Sequence, residues 1–186
     1  MIKKFSRKLI FALALAGSIS GTCLWYYTHS SPTLIYDLNI NRDTQPILDL
    51  FSSDSYWLDA NYDTTQDKYR RMLKYGYVND NPMYPGKLKF KVLRDQDQFV
   101  GFTAYHKTTP QEGKILFVAV RPDMRGKRYG ETLVKTAVQE LKKLGARHVE
   151  LTTRVSNHAA QKLYLRCGFH ETFRDADYVG FGYWVS

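Results

Sequence analysis

Hydrophobic positions along this chain switch between two periods, and the switches mark its elements. Ile115, Leu116, Phe117, Val118, Ala119 and Val120 form an unbroken apolar run ended by Pro122, the pattern of a buried strand. Beyond it Leu133, Val134, Ala137, Val138 and Leu141 recur at helical spacing up to Gly145, a C-cap residue, so a helix begins between Gly126 and Gly130. Residues 148–153 read as a further strand and 156–167 as a short helix, capped by Ser156 or Asn157 and closed by Gly168. Upstream, 34–40 reads as a strand, 46–51 as a short helix, and 63–75 as a second helix with Tyr69, Met72 and Leu73 on one face. Leu88, Phe90 and Val92 alternate, 94–97 supplies a turn, and 99–106 is the hairpin partner. Gly113 starts the central strand, and 178–185 alternates again to close a sheet.

Chemistry concentrates where the central strand meets its helix, at Arg125-Gly126-Lys127-Arg128-Tyr129-Gly130. At a helix start several backbone N–H groups lack an internal partner, and the helix dipole adds partial positive charge. Arg125, Lys127 and Arg128 add cations, while Gly126 and Gly130 omit side chains where a pyrophosphate would approach the backbone. The turn is therefore an anion cradle.

Taken with residues 157–169, this turn resembles the signature of the GNAT superfamily, the acyl-CoA-dependent N-acyltransferases. Their strand-turn-helix carries Q/R-x-x-G-x-G/A, and the next unit carries N-x-x-A-x-x-L-Y-x-x-x-G-F. Asn157, Ala160, Leu163, Tyr164, Gly168 and Phe169 meet the second pattern. Arg125 and Gly130 meet the ends of the first, and Arg128 stands where the internal glycine usually sits. The resemblance implies an α/β (α+β) GNAT fold, a mixed twisted sheet of about six to seven strands with about four helices, splayed between the fourth and fifth strands. It also implies acetyl-CoA as co-substrate and transfer of an acetyl group to an amine by direct attack in a ternary complex.

Site residues follow from the same resemblance. The backbone amides of Val118 and Val120, either side of Ala119, would hold the pantetheine arm and polarise the thioester carbonyl. Arg125, Gly126, Lys127, Arg128, Tyr129 and Gly130 would receive the pyrophosphate, and Asn157 would bond the pantetheine amide. Tyr164 would protonate the departing thiolate, since a phenol with a pKa of about 10 is protonated at neutral pH. The proton acceptor for the amine is open. Lys114 stands where members that acetylate lysine often carry a glutamate, Glu112 lies two residues away, and His106, His158 and Glu150 are further candidates.

The first thirty residues stand apart from a domain spanning 31–186. Lys3, Lys4, Arg7 and Lys8 precede an uncharged run over 9–27, nineteen residues long and ending in Trp25-Tyr26-Tyr27. Such a run can span a bilayer, its aromatic end suits the interface, and the cations keep the N-terminus cytoplasmic. The other reading is a signal peptide cleaved after small residues at 14–16 or 18–20, which would export the domain.

Charge refines the picture. Residues 31–67 carry Arg42 against seven aspartates, and 68–186 carry 22 basic groups against 11 acidic ones. In the family the first helices line the acceptor side, so an acidic wall there suits a cationic amine meeting polyanionic CoA. The same aspartates also serve as turn and cap residues. Cys23 and Cys167 make no disulfide framework, and no Cys or His spacing resembles a metal site, so no metal is expected. Aromatic residues fall at core periodicity rather than among the basic ones, which argues against nucleic acid. A degenerate acyl-CoA sensor and a nucleic-acid-binding module are the alternatives.

Overall fold

The computed structural model describes residues 33–58, 66–76 and 87–185. The candidate membrane segment at 9–27, and residues 1–30 as a whole, lie outside the described residues. Among the described residues no helix is long and apolar enough to cross a membrane.

Strands β1 (Leu34–Asp37), β2 (Lys89–Asp95), β3 (Gln98–Lys107), β4 (Glu112–Val120), β5 (His148–Arg154), β6 (His170–Arg174) and β7 (Tyr178–Trp184) form one sheet in the order β1-β2-β3-β4-β5-β7-β6. Every neighbouring pair is antiparallel except β4 and β5. The helices are α1 (Ile40–Ser53), α2 (Ser55–Leu58), α3 (Gln66–Tyr75), α4 (Tyr129–Lys143) and α5 (His158–Arg166). The mixed sheet and the order of its elements are those the sequence predicts. Beyond the elements with expected bounds stand α2, whose four residues are too few to display a helical period, a 3-10 turn at Pro122–Met124, and β6, whose five residues are all exposed and show no alternation of burial.

The start of the domain differs from its expected boundaries. The strand at 34–40 stops at Asp37, and the short helix at 46–51 is part of a 14-residue helix with Pro46 inside it. The cause is a reciprocal cap. The Asn39 side chain accepts the Arg42 N–H at 3.2 Å, and Asp43 accepts the Asn39 N–H at 2.9 Å. Pro46 removes one helical hydrogen bond, but Ile47, Leu48, Leu50 and Phe51 are all buried against the sheet, which outweighs it. Asp43 is fully buried and takes a 2.6 Å bond from Arg94, whose other Nη donates to the Asp97 carbonyl at 2.7 Å. This ion pair fixes the start of α1 to the β2–β3 hairpin, whose turn residues Gln96 and Asp97 have φ of 49° and 63°.

Helices cover both faces. Phe51, Tyr69, Met72 and Leu73 pack with Phe90, Phe102 and Ala104 on one side. Val134, Ala137 and Leu141 of α4 pack with Tyr105, Ile115, Val149 and Phe181 on the other. Gly113 lets α4 come close, since a Cβ there would lie 2.6 Å from the Leu141 side chain.

The central strand departs from its expected burial. Ile115 and Ala119 are buried, but Leu116, Phe117, Val118 and Val120 are only half-buried. The reason lies in the pairing. Leu116 is an extra residue in β4, because Tyr105 faces Ile115 while Ala104 faces Phe117. One residue before this stretch, the parallel pairing with β5 ends at Lys114 and Glu150. A bulge bends and twists its strand, so β4 veers from β5 and opens a gap in the sheet.

Candidate active site

The gap is a cleft of about 480 Å³. One wall is Val118, Ala119 and Val120. The Arg121 N–H donates to the Val100 carbonyl on β3 at 2.9 Å. Alternation along a strand then turns the N–H groups of Val118 and Val120 to the opposite side, into the cleft, where β5 no longer pairs.

The turn after β4 closes one end. Arg125, Gly126, Arg128, Tyr129 and Gly130 all line the cleft. Gly126 has φ of 83°, and a Cβ there would meet nothing within 4 Å, so its backbone faces open space. Gly130 is a close approach instead, with a Cβ 3.1 Å from Leu163. Arg128 precedes α4 in the left-handed conformation, φ 63° and ψ 11°. Glycine takes that conformation without steric cost, which explains the family's preference for it there. The Tyr129 hydroxyl donates to Asp95, which raises its pKa and ties the helix start to the β2–β3 turn.

Asn157 stands on the facing wall with Ala159, Ala160 and Leu163. Its Oδ1 accepts the Ala160 N–H at 3.1 Å as the N-cap of α5, which leaves its amide N–H groups for the cleft.

Two of the expected site residues do not line the cleft. Lys127 is exposed, with its Nζ 3.8 Å from the Met124 sulfur. Tyr164 is 8% exposed and packs against Phe181 and Phe169, ring centroids 5.6 and 6.3 Å away. Burial raises its phenol above the ordinary range. Cys167 lies at the end of α5, half-buried, and burial pushes its thiol up as well. Among the described residues no group of three or more His, Cys, Asp or Glu is placed to hold a metal.

The candidate bases fall elsewhere. Lys114 pairs with Glu150 at 3.5 Å, and His106 is buried, which lowers its pKa. The cleft's own carboxylates are Asp54 and Glu131. Asp54 pairs with Arg125, and the Lys135 ammonium holds the Glu131 carboxyl below its usual range.

Sequence reasoning missed Asp54, Trp57, Leu58, Glu131 and Arg166, all of which line the cleft. Arg166 was within reach, because Ala159, Leu163 and Arg166 repeat at i, i+4 and i+7 and so share a helix face. Trp57 and Leu58 gave no such signal.

The sequence matches the acetyltransferase (GNAT) family over residues 44–169, and the chain belongs to that family. The uncharacterized N-acetyltransferase YvbK of Bacillus subtilis (strain 168) is 35% identical over 82 residues, 44% of this chain and 53% of that protein. The chain thus spans about half the length of this curated relative. An acetyltransferase of Bacillus subtilis in complex with CoA has a TM-score of 0.62 at 21% identity, over 83% of this chain and 100% of that one. The spermidine N-acetyltransferase of Vibrio cholerae, in complex with CoA and spermine, has a TM-score of 0.61 at 18% identity, over 82% and 95%. At these identities the solved structures establish the fold.

The left-handed Arg128 yields a test of the turn. Arg128→Gly relieves a conformation costing roughly 1–2 kcal/mol and loosens the unfolded chain by about 0.5–1 kcal/mol. Urea unfolding should show a gain of about 0.5–1 kcal/mol, whereas Arg128→Ala keeps the strain and gains nothing. Destabilisation by glycine would contradict the observed backbone.

Proposed function

We propose that this chain is an N-acetyltransferase that moves the acetyl group of acetyl-CoA to an amine by direct attack in a ternary complex. The observation that carries the reading is the pair of N–H groups on Val118 and Val120 aimed into a cleft that ends at a helix start. A pantetheine arm is an extended chain of amides, and it can pair with β4 as an added strand where β5 has turned away. The pyrophosphate then reaches the backbone amides at the start of α4, with Arg128 as the cation beside it. Asn157 donates across the cleft to a pantetheine carbonyl.

In the reaction the amine nitrogen attacks the thioester carbon, and the carbonyl oxygen becomes an oxyanion held by a β4 amide. The carbon–sulfur bond then breaks, the acetyl group stays on nitrogen, and CoA leaves as a thiolate. The family motif assigns the thiolate's proton to Tyr164, which lies outside the cleft lining and whose phenol remains protonated through the neutral range because burial raises its pKa. Direct attack is favoured over an acyl-enzyme because burial pushes the Cys167 thiol up and so lowers its thiolate fraction. With Asp54 paired and Glu131 held low, the proton lost by the amine goes to water. This suits an amine of modest basicity better than a lysine side chain.

Calorimetry and turnover on the full-length chain test this together. Acetyl-CoA should bind, and Gly130→Asp, which sets an anion against Leu163 in the cradle, should weaken binding by at least about tenfold. Tyr164→Phe should slow thiol release from an amine panel by roughly 10²-fold or more with acetyl-CoA affinity kept. Undiminished turnover would reduce Tyr164 to packing, and no acetyl-CoA binding would refute the reading.

We further propose that residues 9–27 anchor the chain in a membrane with its N-terminus cytoplasmic, on the strength of Lys3, Lys4, Arg7 and Lys8 and the absence of any basic residue between the run and Arg42. The domain then sits on the far face, where acyl-CoA must be supplied. Reporters fused after Ser186 decide it: the one active only outside the cytoplasm should give signal. Signal solely from the cytoplasmic reporter would reverse the orientation.

A further inference from the structure

The four residues of α2 cannot hold a helix by themselves, so their position is set by what grips them. Two arginines do so, one from each side of the opened sheet. On the β4 side, Arg125 of the turn pairs through Nη2 with Asp54, the residue immediately before α2, and its Nε donates to the Val120 carbonyl at 3.0 Å. On the β5 side, Arg154 donates from Nε to the Tyr56 carbonyl at 2.8 Å, and its guanidinium lies 4.6 Å from the Tyr56 ring centroid. The Tyr56 hydroxyl also reaches the Ser156 hydroxyl at 3.4 Å. Between these grips Trp57 and Leu58 line the cleft.

We propose that α2 is a bridge across the cleft, and that Arg125 is a positioning residue that fastens its Asp54 end to the donor turn rather than a ligand for phosphate. The proposal rests on the acetyltransferase reading only for what the cleft holds.

The charges favour this assignment over the phosphate role. The Asp54 side chain is 13% exposed and that of Arg125 is 50% exposed. Moving Arg125 to a phosphate would leave a largely buried carboxylate without its cation, a loss the phosphate contact would have to offset. The guanidinium fork is also oriented from two directions, by a carboxylate and by a strand carbonyl. Arg128, by contrast, is an exposed cation at the same cradle. In this arrangement Trp57 and Leu58 form a stretch of cleft wall whose place relative to β4 is set by Arg125. Arg125 thereby joins the donor turn to the Trp57–Leu58 stretch of the cleft wall.

Hydrogen-exchange mass spectrometry on the full-length chain, read beside acetyl-CoA calorimetry, tests the bridge. Asp54→Asn and Arg125→Gln should each speed exchange at residues 55–58 by about two- to fivefold. The double variant should do no more than either single one, because both remove one interaction. Amides of β5 at 149–153 should stay protected, reporting an intact fold, and acetyl-CoA affinity in Arg125→Gln should stay within about twofold of wild type. Unchanged exchange at 55–58, or additive effects in the double variant, would overturn the bridge. A loss of about tenfold or more in acetyl-CoA affinity for Arg125→Gln, absent from Asp54→Asn, would make Arg125 a phosphate ligand. Failure of the wild-type chain to bind acetyl-CoA would refute the donor assignment and leave the exchange data to judge the bridge.

Discussion

One extra residue in one strand sets the shape of this molecule. Leu116 has no opposite number on β3, and the bulge it makes turns β4 away from β5 after only three paired residues. Had the ladder continued, Val118 and Val120 would have given their N–H groups to β5 and the sheet would have closed. Instead those donors face a cleft, and apolar side chains that a closed sheet would bury are half-exposed along it. The bulge costs ladder bonds, and it yields a row of oriented donors that an extended amide ligand can complete.

The remaining parts place charge around that opening. The buried Asp43–Arg94 pair fixes the start of α1 to the β2–β3 hairpin, and α1 ends at Asp54 beside the cleft. Tyr129 holds the first residue of α4 to Asp95 of the same hairpin. The two sides of the cleft are thus referenced to a single hairpin, although the residues concerned are far apart in sequence. Breaking the buried pair would leave an uncompensated charge and loosen the first turn of α1, so its role is positional even though such pairs add little net stability.

How far the sequence revealed this depends on the range of the forces involved. The β4–α4 turn and the α5 unit were legible because local chemistry dictates them. Pro122 stops a strand, unpaired amides start a helix, and the Asn157 side chain caps the next helix. Pro46 reads as a helix start, whereas the true start of α1 is decided by Asn39 and by Asp43 with its distant partner Arg94. The short α2 was invisible, since nothing in four residues of mixed character says that Arg125 and Arg154 will grip it. The unbroken apolar run 115–120 read as a strand buried throughout, and pattern alone does not reveal that its far half borders a cleft. Arg128 departs from the family's glycine, and its left-handed backbone gives that departure a physical meaning.

The β4 amides freed by the bulge are the binding edge we propose for acetyl-CoA. Amide exchange at Val118 and Val120, followed by nuclear magnetic resonance with and without saturating acetyl-CoA, addresses it directly. Added-strand pairing predicts that both amides shift and exchange at least about tenfold more slowly with ligand present, while Ala119, which faces β3, changes little. Bound acetyl-CoA with unaltered exchange at Val118 and Val120 would contradict the account.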